Sequence, residues 1–548
     1  MNNSVFSVKY IAVLVLMLLV CLSSSYAQTS YYFYVQLSDK NHSSYSLLQP
    51  TEYLSERAIS RRVAFGLACD STDLPVSPLY LKQIVETGVR IHNVSKWMNG
   101  VTVLVSDSGL MNSVRKLHFV RFVEYTGRLD GAALAPQKTK SKAQAFDYGI
   151  ASTQIEQLKG KSLHNAGYRG KDIHIAVLDA GFTNVDKNPF FDSLRFQNRL
   201  LGTKDIINPN SNVFNEDSHG AMVLATMAAN VPGQFLGTAP DASYWLIRTE
   251  YAPTEYKVET DFWTSGIEFA DSVGVDLINS SLGYFTFDDP KMNFTYQDMN
   301  GKVSRASRAA NLASKKGMLV VASAGNEGNQ SWHYIGSPAD ADGIVTVGAV
   351  TFNGISSAFS SYGPSSDGRV KPEVCAMGTS SAVVNTAGVP TYGNGTSFAT
   401  PVLAGMMACL LQRYKSLEAN MDMDILLNAV FRSAGLYSSP TTQQGYGIPD
   451  FEKAEQNLIT FDKSLKTDKS DFVLIYNSSS KRLSVRYIGN ESISNASVRV
   501  FTVMGGSISS HRITSATTYI DTATFRTGIY AVCISFNGKT ETRKILIR

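Results

Sequence analysis

Ile173-His174-Ile175-Ala176-Val177-Leu178-Asp179-Ala180-Gly181 decides the fold. From Ile173 to Leu178 the run is apolar and β-branched apart from His174, and it stops at a carboxylate and a glycine turn. Strands of a parallel sheet read as continuous apolar runs, because crossover helices cover both faces. Open α/β sheets gather their sites beyond the C-terminal ends of such strands. Asp179 therefore stands where chemistry is expected, and His174, inside the strand pattern, reads as structural. Met318 to Ser323 is a second strand of this kind, and it presents Asn326 through Gly325. The class predicted is a three-layer α/β/α domain with a mainly parallel sheet.

Working outward, Ser218-His219-Gly220 lies between a loop rich in Asn and Asp and the small-residue run Ala221 to Ala229. That places His219 at the start of a helix. Gly395-Thr396-Ser397-Phe398-Ala399-Thr400-Pro401 opens another, Phe398 to Tyr414, with Pro401 expected in its first turn. Free N–H groups at such a start favour negative charge beside Ser397. A hydroxyl nucleophile at neutral pH needs a base within hydrogen-bond reach, and that base needs a carboxylate to fix its tautomer. Alone, each segment is ordinary: a strand-end Asp is usually a turn residue, a His before small residues usually packs, and Gly-Thr-Ser is common. Together, in the order Asp179, His219, Ser397, they point to nucleophilic catalysis. Asn326 offers an amide for a developing oxyanion. His333, beside Trp332 in a loop, reads as structural.

In this order the four segments resemble the subtilisin-like serine proteases, the subtilases, over roughly Tyr148 to Leu458. Chymotrypsin-like proteases and α/β-hydrolases carry the same groups in other orders. The resemblance implies a serine endopeptidase forming an acyl-enzyme on Ser397. His219 would be base and then acid, Asp179 its orienting group, and Asn326 with the Ser397 N–H the oxyanion donors. It also implies a substrate cleft along Asn279-Ser280-Ser281-Leu282-Gly283, with Ser281, Leu282 and Gly283 flanking the primary pocket. Ser323, Ala324 and Gly325 would form the opposite wall, and Gly336 with Pro338 the floor, where turn chemistry alone is the alternative. These small residues imply a roomy pocket and broad specificity, and no acid among them argues against selection of Arg or Lys.

Three positions depart from the family pattern. Ala180 and Ala221 stand where the family carries hydroxyl residues, and Phe398 follows the nucleophile in place of Met. None of the four chemical groups is lost, but support for the His–Asp pair is weakened. The rival reading from another class is a surface-binding protein on a degenerate subtilase scaffold. No cofactor is expected. Subtilases often bind calcium, but no acidic segment here has the spacing of a ligand set, so no metal site is assigned.

The chain has 548 residues, enough for two to four domains. A net charge of +4 is too small to imply nucleic acid as a partner. Lys9, the apolar run Ile11 to Leu22, and Ser25-Tyr26-Ala27 before Gln28 make residues 1–27 an export signal, and that apolar run is too short to span a bilayer comfortably. Cys69, Cys375, Cys409 and Cys533 are too widely spaced for a disulfide framework; Cys375 and Cys409 read as buried thiols or as a pair.

Residues 28–145 precede the catalytic region, assigned to 146–460, and end in a segment where Lys138, Lys140 and Lys142 form a solvated linker. Tyr31 to Leu37, a helical Tyr53 to Arg57, Val94 to Leu104 and Phe119 to Tyr125 give a strand–helix–strand–strand–helix–strand rhythm. This small α+β unit resembles the subtilase propeptide, which implies an intramolecular inhibitor. Residues 461–469 read as a polar linker. Residues 470–548 hold short alternating strands such as Ser497 to Phe501, Gly528 to Val532 and Lys544 to Ile547, the pattern of a small β-sandwich. With Gly505-Gly506 and the terminal strand, it resembles the C-terminal sorting domain of the type IX secretion system of Bacteroidota. The partners implied are polypeptide substrates, the chain's own propeptide and that secretion machinery, and the location is outside the cell or on its surface.

Overall fold

The computed structural model describes residues 30–129, 147–417, 421–467, 471–477 and 481–547, apart from positions 488, 490–492, 494 and 516. The export signal and the lysines at 138–142 lie outside the described residues. His174–Asp179 is an inner strand of a seven-stranded sheet. Across the sheet the order is Val374–Met377, Val345–Val350, Leu319–Ser323, Leu277–Ser280, His174–Asp179, Ser243–Arg248 and Leu200–Asp205. Every neighbouring pair is parallel.

The alternation of strand side chains explains the continuous apolar run. Ile175 and Val177 pack into one core with helices His219–Ala228 and Thr396–Lys415. Ala176 and Leu178 pack into a second core with helices Val258–Ser272 and Arg305–Lys315. Both faces are buried, so neither can be polar. Cys375 and Cys409 are buried free thiols.

Pro401 sits inside helix Thr396–Lys415, not in its first turn, because the helix begins at Thr396. Pro401 has no N–H for the carbonyl four residues earlier, which is that of Ser397. The Ser281 hydroxyl donates to that carbonyl instead, at 2.9 Å.

The N-terminal unit is a four-stranded antiparallel sheet in the order Arg90–Ser95, Gly100–Val105, Ser30–Leu37, Val120–Leu129. Helix Pro78–Glu86 covers it through Tyr80 and Ile84, which pack with Phe33, Val35, Val101 and Val103. The helix foreseen around Tyr53 to Arg57 forms at Glu56–Ala64, but it serves the catalytic region rather than this sheet. Its Arg61 and Arg62 bond the buried Asp271, Arg62 also bonds Asp73 at 2.7 Å, and Arg57 bonds Asp276. The sheet's far face rests on helix Val258–Ser272, where Tyr32 meets Phe262 edge-on at 5.5 Å between ring centroids. Glu124 bridges Lys257 at 2.7 Å and Arg305 at 2.6 Å.

Helix Phe451–Thr467 continues through most of the segment read as a linker. Beyond it, sheets of three and four strands share one apolar core that includes Leu483, Val485, Val498, Val500, Val532 and Ile534. This unit touches the catalytic region where Arg482 and Ser484 donate to Asp424. Among the described residues no helix is long and apolar enough to cross a membrane.

Candidate active site

Asp179 ends its strand fully buried. Its Oδ1 lies 2.8 Å from His219 Nδ1 and accepts the Ala180 N–H at 2.8 Å. Gly220 makes the approach possible, since a Cβ there would stand 2.4 Å from the Gly181 carbonyl oxygen and 2.8 Å from the Asp179 Cβ. Arg248 fixes the turn from behind. Its Nε donates to the Ala180 carbonyl at 3.0 Å, and its Nη atoms pair with Asp205 at 3.0 Å and Glu216 at 3.1 Å. Burial works against a charged His219, but the Asp179 carboxylate outweighs it, with help from Asp217 and Glu250, and raises the imidazole to about 9.

The rings of His219 and Phe398 lie 6.0 Å apart between centroids, which brings the imidazole beside the helix start that carries Ser397. The Ser397 Oγ is turned to the Ser281 carbonyl at 3.5 Å, too long to hold it firmly, and makes no hydrogen bond to His219. Catalytic hydrogen bonds are often unformed without substrate. Gly395, at φ +149°, turns the chain into the helix. Asn326 accepts the Thr396 N–H at 2.9 Å and the Thr396 hydroxyl at 3.0 Å through Oδ1. Its amide NH2 is thereby aimed elsewhere. The Ser397 N–H, at the open end of its helix, meets no acceptor among the described residues.

A cavity of about 110 Å³ adjoins these groups. Ser281, Gly283, Ser323, Gly325, Asn326, Gly336 and Ser397 line it. Leu282 and Ala324 do not. Leu282 turns into the core beneath the sheet, and Ala324 packs against Ile335 and Ala339. The sequence reading missed Phe285, Tyr334, Ser361 and above all Glu327, an acid on the wall of a pocket expected to hold none. Its signal was adjacency to Asn326. Two larger cavities, of about 480 and 330 Å³, lie between the N-terminal unit and the catalytic region and contain none of these residues.

A carboxylate cluster that the sequence did not reveal stands near the pair. Oxygens of Glu250, Glu255 and Glu259 lie within 4.8 Å of one another, a spacing a divalent cation could span. Two of the three already have partners: Glu259 accepts the Tyr251 and Tyr256 N–H groups, and Glu250 accepts the Tyr284 hydroxyl at 3.0 Å. Burial and mutual repulsion push Glu255 up to about 9. Burial above all pushes Glu250 up to about 7, with the Asp179 charge adding to it.

The profile of the subtilase family matches residues 170–447, about half of the chain. That of the peptidase S8 propeptide domain of Bacteroidota matches residues 32–145, and that of the secretion system C-terminal sorting domain matches residues 477–548. Subtilisin NAT of Bacillus subtilis subsp. natto is 28% identical over 378 residues, 68% of this chain and 85% of that protein. Subtilisin of Bacillus pumilus is 30% identical over 319 residues, 57% of this chain and 100% of that protein. Among solved structures, that of MycP1 with its N-terminal propeptide removed covers 55% of this chain and 96% of its own, at 20% identity and a TM-score of 0.43.

Proposed function

The chain belongs to the subtilase family and is a serine endopeptidase, and from that premise we propose that Ser397, His219 and Asp179 carry out the cleavage. It bears a Bacteroidota S8 propeptide domain and a C-terminal sorting domain that takes it to the cell surface or beyond. The observation that carries the assignment is the 2.8 Å contact between Asp179 Oδ1 and His219 Nδ1, with the His219 ring 6.0 Å from that of Phe398, the residue after Ser397. With Nδ1–H donated to Asp179, the lone pair of Nε2 faces outward as a base. Rotation of the Ser397 hydroxyl from the Ser281 carbonyl toward Nε2 passes its proton to His219 as Oγ attacks the substrate carbonyl. The oxyanion forms between the Asn326 amide and the Ser397 N–H, both free to donate. His219 returns the proton to the departing amine, and the acyl group stays on Ser397 until water, activated by the same imidazole, releases it.

Substrate backbone lies along the segment Asn279 to Gly283, where main-chain bonding gives affinity with little demand on sequence. The N-terminal domain is held as an intramolecular inhibitor until the enzyme cuts the chain before about residue 145. The rival reading, a binding protein, rests on Ala180 and Ala221, neither of which removes a reacting group. Comparing the masses of secreted wild type and Ser397→Ala tests the assignment. The variant should keep the N-terminal segment and hydrolyse nothing, whereas normal self-processing of the variant would contradict it.

A further inference from the structure

We infer that the sheet edge opposite the active site is a joint docking surface, where the N-terminal and C-terminal units hold one another in place through residues 421–424. While the N-terminal unit is docked the C-terminal one is held fast, and departure of the first loosens the second. This linkage lies outside the cleavage chemistry and does not depend on it.

Asp179, Ser281 and Ser323 stand at or just past the C-terminal ends of their strands. Both flanking units bind at the other ends, where four neighbouring strands begin. In helix Glu56–Ala64, Arg57 donates to the carbonyls of Asp172 at 2.8 Å and Gly274 at 3.0 Å, and pairs with Asp276. Arg61 donates to the carbonyl of Val275 and, at 3.2 Å, to that of Lys316. These acceptors precede strands His174–Asp179, Leu277–Ser280 and Leu319–Ser323. Phe65, just past the helix, is buried in the catalytic core. From the C-terminal unit, Arg482 reaches the start of the next strand, Val345–Val350. A Cβ on Gly343 would lie 3.9 Å from its Nη2.

The two footprints meet on residues 421–424. The Met421 N–H donates to the Ala64 carbonyl at 3.1 Å, and its side chain is buried in the same core as Phe65. The next residue, Asp422, pairs with Arg486 at 3.7 Å. Asp424 accepts from Arg482 at 3.1 Å and from the Ser484 hydroxyl at 2.5 Å. Within the segment Asp422 accepts the Asp424 N–H at 2.7 Å, and its own N–H donates to the Tyr414 hydroxyl at 3.0 Å. The position of Met421 thereby fixes that of both carboxylates. Lys415, at the end of the helix that begins beside Ser397, shares Asp276 with Arg57 at 2.8 Å. Withdrawal of helix Glu56–Ala64 uncovers Met421 and takes the partner from its N–H, which a buried backbone donor cannot lose cheaply. The segment must then rearrange, and the carboxylates leave register with Arg482 and Arg486. Such a linkage is reciprocal, so opening the C-terminal contact must loosen the helix by the same factor.

The test uses the full chain as Ser397→Ala, and the readout is amide hydrogen exchange, which reports local opening. Two stretches are followed, Glu56–Ala64 and Arg482–Tyr487, with residues 175–178 of the central strand as the measure of an intact fold. Arg57→Gln with Arg61→Gln leaves Asp276 its Lys415 and Asp271 its Arg62 and Lys96. This change should speed exchange in Glu56–Ala64 and, by about fivefold or more, in Arg482–Tyr487, fivefold being the lower end of coupling between linked sites. Asp424→Asn, made separately, should speed exchange in Arg482–Tyr487 and by a similar factor in Glu56–Ala64. If either change speeds exchange only in the unit it touches, the inference is overturned and the units are independent. Should one variant also release residues 175–178, the other decides alone.

Discussion

Asp179 Oδ1 lies 2.8 Å from His219 Nδ1, while Oδ2 of the same fully buried carboxylate meets no donor among the described residues. An unmet buried acceptor is expensive, and here it belongs to the group that must hold the imidazole in register. The next residue, Ala180, has no hydroxyl to offer it, and neither does Ala221 in the facing helix.

Ala180→Ser should place a donor beside Oδ2. A hydrogen bond to a charged acceptor contributes about 1.5–3 kcal/mol. The variant should unfold at a higher denaturant midpoint, and turnover per titrated site should rise by about fivefold as Asp179 is held more firmly. Unchanged turnover together with an unchanged midpoint would show that Oδ2 is satisfied in some other way.

How far the sequence discloses this site depends on what each residue's position depends on. Asp179 is legible because its strand must be apolar on both faces, and His219 and Ser397 because glycines and small residues mark their helix starts. Ser281, Gly283 and Gly336 follow from family resemblance. Glu327 was illegible because its direction is set by Ser361 and by the contact of Gly328 with Ser360, both more than thirty residues away along the chain. The carboxylates at 250, 255 and 259 meet only because Glu259, in the first turn of its helix, gathers the preceding loop by accepting the Tyr251 and Tyr256 amides. Helix Glu56–Ala64 was legible as a helix, but its docking was not, since that needs Asp271 and Asp276 from elsewhere in the chain.

The pH profile should be alkaline. Only neutral His219 can accept the Ser397 proton, and a pKa raised from 6.5 to about 9 displaces the acid limb of kcat/KM upward. Glu250 contributes to that rise only once ionised, above about pH 7. Glu250→Gln should therefore move the limb down, read from kcat/KM against pH with titrated enzyme. An acid limb at 6.5 in wild type, or one that Glu250→Gln leaves in place, would contradict this. For stability the sign is opposite. The folded pKa exceeds the unfolded one, so the His219–Asp179 pair stabilises fully below about pH 6.5 and loses that contribution as pH rises through about 9.

Asn326→Ala should cut kcat far more than it changes KM, because the amide meets charge only in the transition state. The expected loss is about 10²–10³-fold, the magnitude found when such a donor is removed from a subtilisin. Asn326→Asp should be at least as damaging, since an anion would repel the oxyanion. Near-normal turnover per titrated site in Asn326→Ala would remove Asn326 from this role.

Arg62→Met should weaken the unprocessed chain. Arg62 is buried between Asp73 and Asp271, at 2.7 and 3.0 Å, and its loss leaves two buried carboxylates short of a cation. Breaking such a pair costs about 3 kcal/mol. The check is the denaturant midpoint of Ser397→Ala with and without the second change. An unchanged midpoint would mean that Arg61, Lys96 and Lys316 already neutralise the site.

The central claim is that Asp179 and His219 activate Ser397, and a fluorophosphonate probe tests it directly because only an activated serine reacts. The secreted enzyme, labelled at alkaline pH and digested, should yield one phosphonylated peptide with the adduct on Ser397. Labelling should fall by orders of magnitude in His219→Ala, as expected if the serine depends on its base. An unlabelled Ser397 in folded, fully processed protein, or equal labelling in His219→Ala, would contradict the account.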